Sequence, residues 1–151
     1  MRALILVLAL AACTDQTSTS VPEDLASQTG ASPASSETSA LAQMPTWEGA
    51  RAAGVEFRAV GQEPGWIVDV YTQNRILLLL DYGEMLIELP RAEPTYPAEG
   101  ATRYETQGGG HTAIITIRRT PCEDAMSGEP YPSTVEVVID GRTLRGCGRS
   151  V

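Results

Sequence analysis

The sequence predicts an all-β domain, an antiparallel meander of eight strands that closes into a small barrel, behind a disordered N-terminal tether. From Trp47 onward, apolar residues recur at nearly every second position, which is the period of a strand with one buried face. Gly (14) and Pro (10) are frequent while aromatic residues make up only 5%, a composition that suits short strands and tight turns. The 151 residues suffice for one such domain of ordinary size.

Residues 1–12 predict an export signal, because Arg2 precedes an apolar run that is too short to cross a bilayer. The ending Leu10-Ala11-Ala12-Cys13 resembles the bacterial lipobox, in which the cysteine sulfur receives a diacylglycerol. That resemblance implies a mature chain that starts at Cys13 and is held on the membrane by acyl chains. An ordinary secretory signal with an incidental cysteine is the alternative. Since Thr14 and not Asp follows, resemblance to enterobacterial sorting implies the outer membrane, with the domain facing the periplasm.

Residues 13–46 are predicted to be the lipidated cysteine and a disordered tether. Residues 14–46 are rich in Ser, Thr, Ala, Gln and Pro and carry four acids and no base, so they cannot bury enough apolar surface to fold. As a flexible coil the tether would span roughly 30 Å. A helix over Leu25–Leu41 is the alternative, which Gly30, Pro33 and the interspersed serines disfavour.

Residues 47–151 are predicted to form the barrel, with a short helix over Trp47–Ala53 that caps one end. Ile76–Leu80 is apolar at every position, which indicates a strand covered on both faces. Asp140-Gly141 suits a two-residue hairpin turn, because both positions need a positive φ. The eight predicted strands are Val55–Ala59, Trp66–Val70, Ile76–Leu80, Met85–Leu89, Thr102–Thr106, His111–Arg119, Thr134–Asp140 and Arg142–Gly148.

Cys122 and Cys147 are predicted to form a disulfide, because they are an even pair in an exported and therefore oxidising setting. In a meander, the sixth and eighth strands run in the same direction, so the two cysteines fall at the same end. A metal site of both thiols and His111 is the alternative, but it lacks a fourth ligand, and neither a metal nor a cofactor is predicted. His111 itself is expected to be a surface residue beside a turn.

Three segments carry a family resemblance. They are Phe57–Trp66, Pro121–Gly128 with Tyr131-Pro132, and Leu144–Arg149. Together they look like the hallmark segments of an uncharacterised family of bacterial envelope lipoproteins. That family is similar in context to META-domain lipoproteins and to membrane-bound inhibitors of c-type lysozyme, and it has no established activity that the resemblance could carry to this chain.

The segment before the second strand is predicted to be a turn, with Pro64 and Gly65 in the central positions of type II geometry. Trp66 would then start the next strand as a core residue. The alternative is that Glu63 and Trp66 project from the barrel rim and grip a ligand or a protein.

The loop that follows the sixth strand is the preferred candidate for partner contact, through Glu123, Asp124 and Tyr131. The alternative is that the two acids are solvated or accept backbone amide hydrogen bonds within the loop. Chain parity places this loop and the Gly61–Gly65 turn at opposite ends of the barrel, roughly 20 Å apart, so a shared site is not expected.

The net charge and the residue types that could take part in catalysis limit which functions the sequence predicts. The net charge is −8 with no Lys, which argues against nucleic-acid binding, and residues 47–151 carry ten Arg against fifteen Asp and Glu. No nucleophile, base and orienting group are evident together, so catalysis is not expected. The prediction is a non-enzymatic binding or envelope-maintenance domain whose partner is a basic protein, of which c-type lysozymes are one example. The alternative is a carrier of a small apolar ligand inside the barrel, which a large internal cavity would favour.

Overall fold

The structure is a computed structural model that describes residues 39–151. The export signal, Cys13 and most of the predicted tether therefore lie outside the described residues. Three short helices occur in the described part, namely a 3₁₀-helix at Ala40–Gln43, helix α1 at Trp47–Ala50 and a 3₁₀-helix at Asp81–Gly83. Over residues 39–151, no helix is long and apolar enough to cross a membrane.

Ten strands form the rest of the described chain, and eight of them build one antiparallel sheet that is nearly closed into a barrel. The predicted all-β meander is confirmed, and each predicted strand is present within a few residues of its expected bounds. The two unpredicted strands, β7 and β8, form a separate short hairpin. The strands are β1 Val55–Gln62, β2 Gly65–Tyr71, β3 Arg75–Leu80, β4 Met85–Pro90, β5 Ala101–Gly108, β6 His111–Arg118, β7 Cys122–Glu123, β8 Pro130–Tyr131, β9 Ser133–Ile139 and β10 Arg142–Ser150.

The strand order is β4-β3-β2-β1-β10-β9-β6-β5, which is an up-and-down meander closed between its first and last strands. Val60 lies opposite Cys147 at this closure. The remaining opening lies between β4 and β5, where the Thr106 hydroxyl donates a hydrogen bond to the Pro90 carbonyl. Closure removes most of the exposed strand edges that an open sheet would present.

The barrel interior is filled by side chains from every second position of the strands. Trp66 is 3% exposed and lies in this core, as predicted, while Val68, Leu78 and Ile115 are fully buried. The core comprises Ala59, Trp66, Val68, Val70, Ile76, Leu78, Leu80, Ile87, Leu89, Tyr104, Ala113, Ile115, Ile117, Val135, Val137, Ile139 and Leu144.

A second apolar cluster lies on the outer face of β1–β3. Met44 and Ala50 from the N-terminal segment pack there against strand residues that point away from the interior, namely Val55, Tyr71, Leu77 and Leu79. This explains why β3 is apolar throughout, since both of its faces are covered. The expectation that the short helix caps one end of the barrel was wrong, because burial of Ala50 holds it against this outer face.

Residues before the predicted boundary at residue 47 also contact the barrel. The ordered chain includes residues 39–46, and the Pro45 carbonyl accepts a hydrogen bond from Arg58 at 2.8 Å. Arg58 and Asp69 are paired across β1 and β2 and form a buried ion pair at 2.6 Å. The N-terminal segment therefore covers an ion pair on the outer face that would otherwise be solvated.

Two predicted connections are confirmed, namely a disulfide and a hairpin turn. Cys122 and Cys147 form a disulfide with a Cα–Cα distance of 5.6 Å. Asp140 and Gly141 join β9 to β10 with φ values of 48° and 82°, the two positive values that the hairpin turn requires.

The turn between β1 and β2 differs from the predicted type II geometry. Gln62 pairs with Gly65, so Glu63 and Pro64 form a two-residue loop, and the Glu63–Pro64 peptide bond is cis. A cis proline at the third position is the mark of a type VI turn. Gly65 has no positive φ and is already the first residue of β2.

Candidate functional site

The loop of residues 119–132, which we call the disulfide loop, lies on the outer face of the barrel and reaches the end of β1. The Gln62 side-chain amide donates a hydrogen bond to Asp124 Oδ2 at 2.7 Å. The expectation that the two recognisable segments lie roughly 20 Å apart was therefore wrong. They meet and form one surface.

The stagger of the strands explains this meeting. In a barrel the strands are tilted, so a row of hydrogen-bonded partners that starts at one end moves toward the other end as it passes around the sheet. One such row begins at Arg118, the last residue of β6, and reaches β1 at Val60, two residues before that strand ends. Its members in order are Arg118, Thr134, Cys147, Val60, Ile67 and Leu79. The disulfide fixes Cys122 to this row at Cys147, and the loop then needs only a short path to Gln62.

Asp124 organises the disulfide loop from within. Its side chain accepts hydrogen bonds from Gln62, from the amides of Met126 at 3.1 Å and Ser127 at 2.8 Å, and from the Ser127 hydroxyl at 2.9 Å. The hydrogen bond from Gln62 is the main cause that lowers the pKa of Asp124 from 3.8 to about 2, although Asp124 is only 4% exposed. For Asp124 the structure thus shows the alternative in which the acid accepts backbone amide hydrogen bonds within the loop.

The other two candidate contact residues have different surroundings. Glu123 is exposed. Tyr131 is 6% exposed, and its burial raises its pKa. The Arg149 guanidinium lies 5.0 Å from the Tyr131 ring and 4.5 Å from the Trp47 ring, so it joins the disulfide loop to the N-terminal segment. Of the three predicted residues, only Glu123 is exposed.

The first cavity of the site lies beside the disulfide loop, over the outer faces of β6, β9, β10 and β1. Its volume is about 410 Å³. Val60, Thr116 and Thr134 contribute floor positions, Glu123 and Asp124 contribute the loop side, and Arg118, Glu136 and Arg145 add charge. Arg145 is paired with Glu136 at 3.1 Å.

A second cavity of about 260 Å³ continues from the first across β1 toward β3. The two cavities share Val60, Gly61 and Gln62. Leu41 from the first 3₁₀-helix and Tyr82 from the β3–β4 connection form its sides, with Ile67 and Leu79 on its floor. We call the two cavities together the outer groove.

Exposed acids without an ion-pair partner in the described chain line the outer groove or directly follow residues that line it. Glu63 follows Gln62, Glu84 follows Gly83, and Glu123 lines the first cavity; all three are exposed and make no ion pair with any residue in 39–151. Arg118 is the lining base without an ion-pair partner in the same range. The surface is therefore open to a positively charged partner.

The single histidine lies outside the outer groove. His111 Nδ1 is 2.7 Å from Asp140 Oδ2, and this hydrogen bond lowers the pKa of Asp140. His111 is partly exposed and adjoins the β5–β6 turn, as predicted. Within residues 39–151, no cluster of three or more His, Cys, Asp or Glu side chains could hold a metal ion.

Sequence patterns did not identify Tyr82, Leu41 or Gln62 as surface residues of a site. Leu41 fell in the segment assigned to the tether, and Gln62 was read as part of a turn. Tyr82 had the strongest available signal, because Asp81-Tyr82-Gly83 interrupts two strands with a large aromatic residue in a turn.

Comparisons of the chain with protein-family models, with curated proteins and with solved structures found no significant match. The function must therefore be inferred from the chemistry of the outer groove.

Proposed function

We propose that this chain is a lipid-anchored protein of the bacterial envelope whose barrel binds a basic protein at the outer groove. The single observation that carries the proposal is a pair of exposed carboxylates that make no ion pair within residues 39–151: Glu123 lines the first cavity, and Glu63 lies beside Tyr82 of the second cavity, whose floor is apolar. Apolar floors with a charged rim are the usual composition of protein interfaces, in which the rim sets partner sign and approach rate.

The packed interior favours surface binding over the alternative of a carrier. A carrier needs an internal volume for its ligand, as in larger lipid-binding barrels. Here Trp66, Leu89 and Tyr104 occupy the interior together with fourteen other core residues. An apolar ligand would have to displace a core that also stabilises the fold.

A binding role also accounts for the groove's titratable groups better than catalysis does. The most perturbed acid, Asp124, is held ionised by four hydrogen bonds and would be a poor proton donor or acceptor near neutral pH. The single histidine does not line the groove. Asp124 thus serves the shape of the surface and not a reaction.

The test is binding of a c-type lysozyme, measured by calorimetry at two salt concentrations. The double variant Glu63→Lys with Glu123→Lys should weaken binding by tenfold or more, since charge complementarity becomes repulsion. The matched control is Glu93→Lys with Glu99→Lys, which changes the net charge equally at exposed, unpaired acids of the β4–β5 connection.

The control variant should bind as the wild type does. Equal weakening by both variants would show a response to net charge alone and would refute the site. If lysozyme does not bind, two further basic proteins, a cytochrome c and a histone, serve as probes. Absence of salt-sensitive binding to all three would refute the proposal.

The anchor is proposed from the lipobox resemblance of Leu10–Cys13 and has its own test. The variant Cys13→Ala should lose acylation, because no other segment predicts membrane affinity. Metabolic labelling with a fatty acid and fractionation in detergent would measure this. Normal labelling of that variant would contradict the anchor and leave the groove proposal unaffected.

A further inference from the structure

Tyr82 lines the second cavity with an aromatic ring that is largely exposed. Its side chain is large and apolar, and yet the residue is 70% exposed. Its hydroxyl lies 3.3 Å from the Gln62 carbonyl and 3.5 Å from Glu63 Oε2, and its single proton is shared between these two acceptors. The ring is thus held beside the β1–β2 turn but is not buried by it.

The backbone around Tyr82 departs from ordinary geometry in order to place the ring there. Asp81 and Tyr82 have φ values of 51° and 58°, and Gly83 has a φ of 96°. Two successive non-glycine residues in the left-handed region cost on the order of 1 kcal/mol each, so such a conformation persists only where neighbouring contacts enforce it.

Two contacts enforce this conformation. Arg142, at the start of β10, forms a two-pronged hydrogen bond to the Asp81 carboxylate, with distances of 2.6 and 3.2 Å. This contact lowers the pKa of Asp81. On the other side the ring lies against Gly65, where a Cβ atom would approach Tyr82 Cδ1 to 2.7 Å. The glycine therefore provides the space that the ring needs.

Tyr82 differs in its partners from four other aromatic residues of the described chain. Trp47, Tyr71, Tyr104 and Tyr131 each have an arginine guanidinium over the ring, at distances of 4.1–5.8 Å. Tyr82 has none among residues 39–151, although the Glu63 carboxylate beside it is also unpaired there. The second cavity, of about 260 Å³, is therefore an apolar cleft with an exposed ring and an adjacent carboxylate. No arginine of residues 39–151 pairs with either of these two groups.

We propose that the second cavity receives an arginine side chain of the basic partner. The aliphatic part of that side chain would lie along Leu41 and Ile67, and its guanidinium would meet the Tyr82 ring and the Glu63 carboxylate. Arginine fits better than lysine because its planar head can stack on a ring and bridge to a carboxylate at the same time. This inference rests on the proposed function and names the chemical group that its site recognises.

The experiment is a titration of the ¹⁵N-labelled full chain with N-acetyl-arginine methylamide, followed by amide chemical shifts. The shifts of Gly65, Tyr82 and Gly83 should move and saturate with a Kd of about 1–10 mM, which is the scale of a single side chain in an open cleft. The neutral citrulline counterpart should produce no saturable shift. Equal responses to both compounds would overturn the charge recognition.

Variants make the assignment specific. Tyr82→Leu and Glu63→Gln should each weaken the arginine response by about three- to fivefold, the scale of one exposed cation–π contact or surface ion pair. Tyr96→Leu is the matched control, because Tyr96 is 73% exposed and also lacks an arginine over its ring in the described chain. It should leave the response unchanged.

Two further results would overturn the inference. They are an equal response to N-acetyl-lysine methylamide, and shifts that cluster outside the second cavity. If the arginine compound fails while Glu63→Lys with Glu123→Lys still abolishes binding of a basic protein, this inference fails and the proposed function stands. If the arginine compound binds at Tyr82 but no basic protein binds, the proposed function fails instead.

Discussion

The hydrogen bonds of Asp124 give the clearest quantitative prediction. The variant Asp124→Asn keeps the size of the side chain but removes the charge that four donors stabilise, at distances of 2.7–3.1 Å. Hydrogen bonds to a charged group are stronger than neutral ones, and the residue is nearly inaccessible to compensating water. The contact that holds the disulfide loop to Gln62 should therefore weaken, because neutral hydrogen bonds replace charged ones.

The magnitude follows from the pKa. Folding lowers the pKa of Asp124 from 3.8 to about 2, so ionisation favours the folded state by about 2 kcal/mol at neutral pH. Because the folded pKa is the lower one, this contribution is complete above about pH 5 and is lost as the pH falls through about 2. The stability difference between wild type and Asp124→Asn should therefore be about 2 kcal/mol at pH 7 and below about 0.5 kcal/mol at pH 2.

Urea denaturation at pH 7, 5, 3 and 2 would measure this difference, and the contributions of other carboxylates cancel between the two proteins. Glu123→Gln is the matched control, because the neighbouring side chain is exposed, and it should stay within about 0.5 kcal/mol of the wild type. Equal stability of Asp124→Asn and wild type at pH 7, or a difference that does not change with pH, would refute the reasoning.

Three further changes test the fold. Replacing Cys122 and Cys147 by Ser should cost about 3.5 kcal/mol in denaturant titrations, since the bond closes a long loop, and free thiols in protein purified without reductant would contradict it. Trp66→Ala should cost about 3–5 kcal/mol because it empties the core at a 3% exposed position, and an unchanged Tm would count against the packed interior. Gly146→Ala should cost about 1–3 kcal/mol, because its Cβ would collide with the Val60 carbonyl at the β1–β10 closure, whereas Thr143→Ala on the exposed part of β10 should change stability little.

The strands were predictable because each one carries its own evidence. Alternation in β1 and β2 marks the face that points into the barrel, and the continuous run Ile76–Leu80 marks a strand with two apolar, covered faces. The Asp140-Gly141 turn and the cysteine pair then limit how the strands connect. Local pattern and tertiary structure agree at these positions.

The candidate site was less predictable because it depends on relations between strands. The row of hydrogen bonds that brings Cys147 level with Val60 arises from barrel stagger, which no single strand records. The packing of residues 39–46 involves burial of Met44 and a hydrogen bond to the Pro45 carbonyl, and two such contacts leave little trace in the sequence of a polar segment. Tyr82 owes its placement to Arg142 and Gly65, which are distant in the chain.

The central claim is that the outer groove, and not the barrel interior or another face, meets a basic protein. Amide chemical-shift mapping of the ¹⁵N-labelled chain with an unlabelled basic partner tests it most directly. The largest shifts should fall at residues lining the two cavities, including Gln62, Tyr82 and Glu123, while Glu93, Tyr96 and Glu99 remain unchanged. Shifts centred on the β4–β5 connection, or spread through core residues such as Val68 and Ile115, would contradict it.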